Sequence, residues 1–251
     1  MLPFLVILGE KGENEMLFYV YAFFTGLILG SFYHVVAYRI PLGYSIIKPR
    51  SHCSHCSHVL QLKELIPILS FCIQKGRCTQ CNIKISYLHP LFEGISGVLF
   101  LLTAVFVGVD GQLIIAWTLL SLLLIVSITD LLYMVIPNQI LLFFAGLFLI
   151  ERFFIQPSLW WDGLLGAMVM FMLLYIIQTI YPKGIGGGDV KLFILLGFVV
   201  GTKVILLSLC FSSLFGLCFL IISIALKRMT YNEPLPFAPF IALGTICTYS
   251  M

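Results

Sequence analysis

Residues 39–84 read RIPLGYSIIKPRSHCSHCSHVLQLKELIPILSFCIQKGRCTQCNIK, a polar and basic island in a chain that is otherwise apolar. The island holds seven of the fourteen Lys and Arg residues (Arg39, Lys48, Arg50, Lys63, Lys75, Arg77 and Lys84) and a single acid, Glu64. On either side the composition changes abruptly. Over the 251 residues 61% are hydrophobic and 10% charged, with a mean hydropathy of +1.09, whereas a soluble domain is about a quarter charged. The chain therefore reads as an all-α polytopic membrane protein. Disorder, a coiled coil and a small secreted disulfide scaffold are excluded by the same composition. A net charge of +3 is too small to point to a nucleic-acid partner.

Outward from the island, uncharged runs near the ~20 residues needed to cross a ~30 Å bilayer core occupy 17–38, 94–109, 113–129, 131–150, 163–182, 204–226 and 234–251. The piece between Lys191 and Lys203, residues 192–202, is short for a crossing unless Lys203 snorkels or the bilayer thins. Counting it gives about eight spans. With the island on the cytoplasmic side, Lys183, Lys191, Lys227 and Arg228 then join its seven bases inside, against Lys11, Arg152 and Lys203 outside. The positive-inside rule favours that arrangement. Expected boundaries are 1–38 for an N-terminal segment with the first span, 39–90 for a cytoplasmic insertion, and 91–251 for the remaining membrane domain. The opening MLPFLVILGEK is too short to cross and lacks the basic start and cleavage site of a signal peptide, so Met16 is an expected alternative start.

Within the island, Cys53-x2-Cys56 and Cys78-x2-Cys81 are separated by 21 residues. Each pair can chelate through a tight turn, and together they supply the four ligands of a structural zinc site. A reducing cytoplasmic face argues against disulfides. His52, His55 and His58 alternate around the first pair and read as solvated turn residues able to substitute as ligands. Cys72, Cys210, Cys218 and Cys247 have no paired spacing and read as small core residues.

The chain has four aspartates. Asp110 in GVDGQ and Asp162 in WWDG read as turn or cap residues. Asp130 and Asp189 adjoin apolar runs, where an ionisable group is costly and marks a functional site by default. Alternating in and out from the island puts both on the cytoplasmic side at similar depth. Two carboxyls brought close there would share a proton and could divide base and acid work on a water. The plainer reading, that they end helices or pair with Lys191 and Lys183, also accounts for these residues. Gly186, Gly187 and Gly188 leave room before Asp189 for a substrate backbone. Gly26 and Gly30, as small-xxx-small, suit helix packing.

The ordered set LGSFYHVVAYRIP (29–41), PRSHCSHCSHVL (49–60), LIPILSF (65–71), GRCTQCNIKIS (76–86), HPLFEG (89–94), TDLLYMVIPN (129–138), GIGGGDVKL (184–192) and LPFAPFIALG (235–244) resembles the type IV prepilin peptidases, and among them the competence-system members of Gram-positive bacteria. The resemblance implies an aspartic endopeptidase of the bacterial cell membrane. It would remove the short basic leader of prepilin or pseudopilin-like proteins at the cytoplasmic face, cutting after a glycine just before the apolar helix. Asp130 and Asp189 match the family's two catalytic aspartates. The family also implies N-methylation of the new N-terminus with S-adenosylmethionine, and Glu93, in the P-x-x-E-G segment, is the candidate for handling the substrate amine or the methyl donor. The sequence departs from the family pattern at His34, where Asn is common, at Leu65, where Asn is usual, and at Tyr87-Leu88-His89-Pro90, in place of Arg-Tyr-Pro. A rival reading from another class is a transporter or pilus-assembly scaffold using Asp130 and Asp189 to bind an ion or proton.

Overall fold

The computed structural model describes residues 12–53, 55–155, 160–181, 184–227 and 234–249. The stretch behind the expected alternative start, residues 1–11, lies outside the described residues, as do Lys183 and Arg228 of the charge count. The described residues form helices α1 (Glu13–Arg39), α2 (Leu69–Ile73), α3 (Leu88–Val107), α4 (Gln112–Tyr133), α5 (Asn138–Phe154), α6 (Trp160–Ile180), α7 (Gly187–Val200), α8 (Thr202–Ala225) and α9 (Ala238–Tyr249), with a 3-10 turn at Leu62–Glu64. No strand occurs among them, only the isolated bridges His52 to Val59 and Arg77 to Lys84. The chain divides into two compact units, one of α1, the island and α3, the other of α4 to α9.

Five helices, α1, α3, α4, α6 and α8, are long and apolar enough to cross a membrane. The apolar helices α5, α7 and α9 have 17, 14 and 12 residues. At about 1.5 Å per residue they reach roughly 26, 21 and 18 Å, short of a ~30 Å core. Among the described residues, length alone thus supports five of the expected eight crossings.

The helix boundaries also differ from the uncharged runs. The run 131–150 hides a break, because Met134 takes a left-handed φ of 54° and Pro137 precedes the first turn of α5. Helix α4 consequently continues to Tyr133 and carries Asp130 inside it. The short piece 192–202 belongs to a helix that starts earlier, at Gly187, and includes Asp189. Gly201 then turns the chain directly into α8 at a φ of +81°, where a Cβ would also run into the Asp162 carboxylate. Only glycine meets both conditions.

In the first unit, α1 and α3 pack antiparallel along a seam of small residues. A Cβ on Gly26 would stand 2.7 Å from the Phe100 Cβ, and one on Gly30 2.7 Å from the Ser96 Cβ. This is the close approach that small-xxx-small spacing permits. Arg39 closes the end of α1 by donating from Nη1 to the Ser45 and Ile46 carbonyls, both at 3.1 Å.

In the second unit α4 is the central element. Two thirds of its apolar window (67%) is buried, against 22% for α6 and for α8, and its own Leu119, Leu122, Leu123, Ile125, Val126 and Ile128 are buried. The outer helices expose apolar side chains such as Leu142, Phe153 and Ile221, as expected of surfaces that face lipid. Cys210 and Cys218 are exposed in the same way, and Cys72 is exposed on α2. They are therefore not the core residues expected from their apolar runs, because in a membrane protein an apolar run does not imply an inward face.

Two ends of this unit can be told apart by their polar contacts. At one end Lys191 Nζ donates to Asn138 Oδ1 at 2.9 Å, joining the starts of α7 and α5. At the other, Arg152 donates to the Phe198 carbonyl at 2.6 Å and lies 4.9 Å from its ring centroid. There Asp162 Oδ1 also accepts from the Thr202 amide at 3.2 Å. Asp162 is thus a cap, but of α8 rather than of its own helix.

Candidate active site and metal centre

Asp130 sits in the last turn of α4, 6% exposed. Its Oδ2 accepts a hydrogen bond of 2.8 Å from the backbone amide of Ala238, the first residue of α9. A carboxylate is stabilised there by the free amides and partial positive charge of a helix N-terminus. Asp189 lies in the first turn of α7, half-buried, close enough for direct electrostatic interaction with Asp130. The ends of α4, α7 and α9 therefore converge on one carboxylate pair.

The glycines before Asp189 divide into different uses. A Cβ on Gly188 would stand 2.9 Å from the Ile136 Cβ, so Gly188 lets α7 approach the link between α4 and α5. A Cβ on Gly186 would lie 3.0 Å from Asp189 Oδ2, and one on Gly187 would meet nothing within 4 Å. Of the three, Gly187 alone faces open space, so the room expected for a substrate backbone narrows to that position. The contact of Asp130 with Ala238 was not legible in sequence. LPFAPFIALG carries the signal only as prolines flanking a helix start.

The island builds a second site. The four Sγ atoms of Cys53, Cys56, Cys78 and Cys81 lie within 4.8 Å of one another, with Cys53 to Cys81 at 3.8 Å and Cys56 to Cys78 at 3.9 Å. The two halves repeat one turn. Cys53 N donates to the His58 carbonyl and Ser57 N to that of Cys53, while Cys78 N donates to the Ile83 carbonyl and Asn82 N to that of Cys78. Ser57 and Asn82, each just after the second cysteine of its pair, take left-handed φ values of 58° and 55°.

The amides of Cys56 and then His55 draw the Cys53 thiol down to about 6. Against the Ile83 amide, which lowers it, burial and the neighbouring sulfurs push Cys81 up to about 12. Four sulfurs this close cannot all ionise without a cation among them, and this donor set fits a soft, tetrahedral metal ion. None of the three histidines joins the cluster. His52 Nδ1 meets the Arg50 carbonyl at 2.9 Å, His55 is exposed, and His58 Nε2 meets Glu64 at 3.2 Å.

Glu64 ties the two turns together, accepting from Thr79 Oγ1 at 2.5 Å and from the Gln61 amide at 2.7 Å. These bonds, Thr79's first, hold its carboxyl below the usual range. Glu93 belongs to the first unit, on α3 and 9% exposed, with Oε2 accepting from the Ile68 amide at 2.8 Å. That bond reaches a β-branched residue held at a φ of 58°.

Fold and sites together define an all-helical, multi-pass membrane protein with a carboxylate pair at converging helix ends and a four-cysteine cluster able to hold a metal ion in the loop after its first helix. Comparison with known proteins gives the family. Residues 24–107 match the Bacterial Peptidase A24 N-terminal domain and residues 117–221 the Type IV leader peptidase family. A Prepilin leader peptidase/N-methyltransferase of Bacillus subtilis is 44% identical over 227 residues, covering 90% of this chain and 92% of the relative. The Type 4 prepilin-like proteins leader peptide-processing enzyme of Escherichia coli is 32% identical, covering 89% and 90%. A Prepilin leader peptidase/N-methyltransferase of Aeromonas salmonicida is 29% identical, covering 91% and 89%. No solved structure matches the chain. The chain belongs to the type IV leader peptidase family.

Proposed function

We propose that the protein is an intramembrane aspartic endopeptidase that removes the basic leader of type IV prepilin-like proteins at the cytoplasmic face of the bacterial cell membrane, and then N-methylates the new N-terminus with S-adenosylmethionine. The observation that carries the reading is the meeting of Asp130 and Asp189 at one end of α4 and α7. The pair shares a proton. The ionised member takes a proton from water as the oxygen attacks the scissile carbonyl and the protonated member donates to the carbonyl oxygen; the proton taken from water then passes to the leaving amine as the C–N bond breaks, and the other carboxylate takes back the hydroxyl proton of the tetrahedral intermediate. Ala238 fixes one oxygen of Asp130 and so the plane of its carboxylate.

Position also separates this reading from an ion or proton pathway. A pathway acid belongs near the bilayer midplane, whereas Asp130 lies three residues from the end of α4 and Asp189 two from the start of α7. A leader peptide is basic and cytoplasmic, with its cut site at the interface, and a carboxylate pair at helix ends suits that depth.

The topology we assign has eight spans. Helices α5, α7 and α9 cross where the bilayer thins around longer neighbours, and the bases of the island mark the cytoplasmic side. Residues 1–38 supply the first helix, 39–90 the insertion and 91–251 the peptidase part. Cys53, Cys56, Cys78 and Cys81 hold zinc, which supplies folding energy to a loop too small for its own core and takes no part in hydrolysis. Glu93 handles the substrate amine or methyl donor, its buried carboxylate suiting a cationic group.

The test is to purify Asp130→Asn and Asp189→Asn proteins in bacterial lipid, incubate them with a prepilin and weigh the product by mass spectrometry. Both should stay folded and leave the leader in place. Full cleavage by Asp189→Asn would overturn the mechanism.

A further inference from the structure

Between the two CxxC turns of the island lies LIPILSFCI, residues 65–73, an uncharged run in a loop otherwise rich in bases. Its helical piece, α2, is too short to hold by itself and is fastened from one side. The Ile68 amide donates to Glu93 Oε2 at 2.8 Å, and a Cβ on Gly94 would lie 3.7 Å from Ile68 Cδ1. The Phe71 ring meets the Tyr87 ring at a centroid distance of 5.5 Å. These contacts fix the segment against the first two turns of α3.

The other side of the segment is apolar and uncovered. Leu69, Cys72 and Ile73 stand at i, i+3 and i+4, one face of a helix, and all three are exposed, Leu69 at 53% and Ile73 at 71%. Leu65 and Ile66 extend the exposed apolar surface. A helix lying on a water-facing surface carries the reverse pattern, with its apolar stripe turned inward.

Depth decides what meets this face. Helix α3 is long and apolar enough to span a bilayer, and it begins at Leu88. Glu93 and Gly94 therefore lie about 8–9 Å along its axis, at ~1.5 Å per residue. Tyr87, just before that start, is of a residue type that gathers at the headgroup level. The segment thus sits at and slightly below the headgroups, matching amphipathic helices that lie in the interface and bury their apolar face roughly 5–10 Å deep.

Charge agrees with depth. Exposed Lys63, Lys75 and Arg77 flank the run on both sides, and the acid beside them, Glu64, is already engaged by Thr79, Gln61 and His58. Long basic side chains lay their stems along apolar surface while their charged heads stay in the polar layer.

We propose that residues 65–73 lie in the bilayer interface, with Leu69, Cys72 and Ile73 among acyl chains and Lys63, Lys75 and Arg77 on anionic phospholipid headgroups. The segment anchors the island to the membrane surface at a third point, besides α1 and α3. The assignment does not rest on the peptidase or the methylation reading.

The test uses the full-length protein carrying the photoreactive residue benzoylphenylalanine in place of Ile73, or of the exposed His55 in the first cysteine turn. Each is reconstituted into lipid discs containing phosphatidylglycerol, irradiated and weighed by mass spectrometry. The label at position 73 should form a phospholipid adduct and the label at position 55 none. No lipid adduct at 73, an adduct there with a second copy of the chain, or equal yields at 73 and 55 would each overturn the proposal. Discs of neutral phosphatidylcholine should lower the yield at 73 several-fold, since each Lys or Arg near an anionic surface favours contact by roughly fivefold. An unchanged yield would overturn the part given to the three bases. A label at Leu69 replaces the one at Ile73 if that protein fails to insert, with the same deciding outcomes.

Discussion

The four-cysteine island and the aspartate pair are built in opposite ways. Each half of the cysteine site is a local turn, closed by backbone bonds within a few residues of its own CxxC, and the two halves are nearly copies. The aspartates come from separate helices, and their meeting depends on where α4 ends, how closely α7 approaches the link after it, and where α9 begins. Disruption of the island should therefore stay local, while the aspartate site should respond to packing changes made well away from either carboxylate.

The largest expected effect is on the chemistry. Asp130→Asn or Asp189→Asn removes an acid–base partner, and cleavage should fall on the order of 10²–10⁴-fold with the melting transition retained. Next comes the metal. Chelation, or Cys53→Ser with Cys56→Ser, should make the island sensitive to limited proteolysis while cleavage falls far less than in either aspartate variant. An island that resists protease after metal removal would mean that its turns stand without a metal, and the contrast between the two sites would be lost.

A packing change probes the other side of the comparison. Gly188→Ala puts a methyl 2.9 Å from the Ile136 Cβ, an overpacking cost of about 1–3 kcal/mol that shifts Asp189 relative to Asp130. Cleavage should drop, and adding Ile136→Ala should restore part of it. If the second substitution restores nothing, the approach of α7 to that link does not position the site.

The smallest effect concerns Glu64. Its carboxyl is held below the usual range by Thr79 and then Gln61. The stability it contributes is present above the unfolded pKa of about 4.3 and is lost as the pH falls through the lower folded value. Proteolysis of the island between pH 5 and 3 should show a shallower acid loss in Glu64→Gln than in the native chain.

Much of this was readable in the sequence. The four-cysteine cluster followed from spacing because a CxxC turn is a local object, and the helical membrane architecture followed from the scarcity of charge. The break between α4 and α5 was not readable from hydropathy, since Met134 to Pro137 interrupt the helix without adding any charge. The same blindness put Cys210 and Cys218 in a core they do not occupy, because apolar composition cannot distinguish a lipid-facing side from a protein-facing one. Arg152, read only as an outer charge, ties α5 to the Phe198 carbonyl, and Asp162, read as a turn or cap residue, caps α8 through the Thr202 amide, a partner no local pattern names.

By itself the sequence determined that this is a helical membrane protein with a four-cysteine loop and two acids out of place in apolar surroundings. Composition and short-range spacing suffice for those features, because they depend on transfer from water and on turns of a few residues. Tertiary structure alone decided that Asp130 reaches the start of α9, that Gly188 fits against Ile136, and that the Ile68 amide meets Glu93. Each of these joins residues far apart in the chain, and such contacts are set by how closely helix backbones can approach rather than by any local pattern.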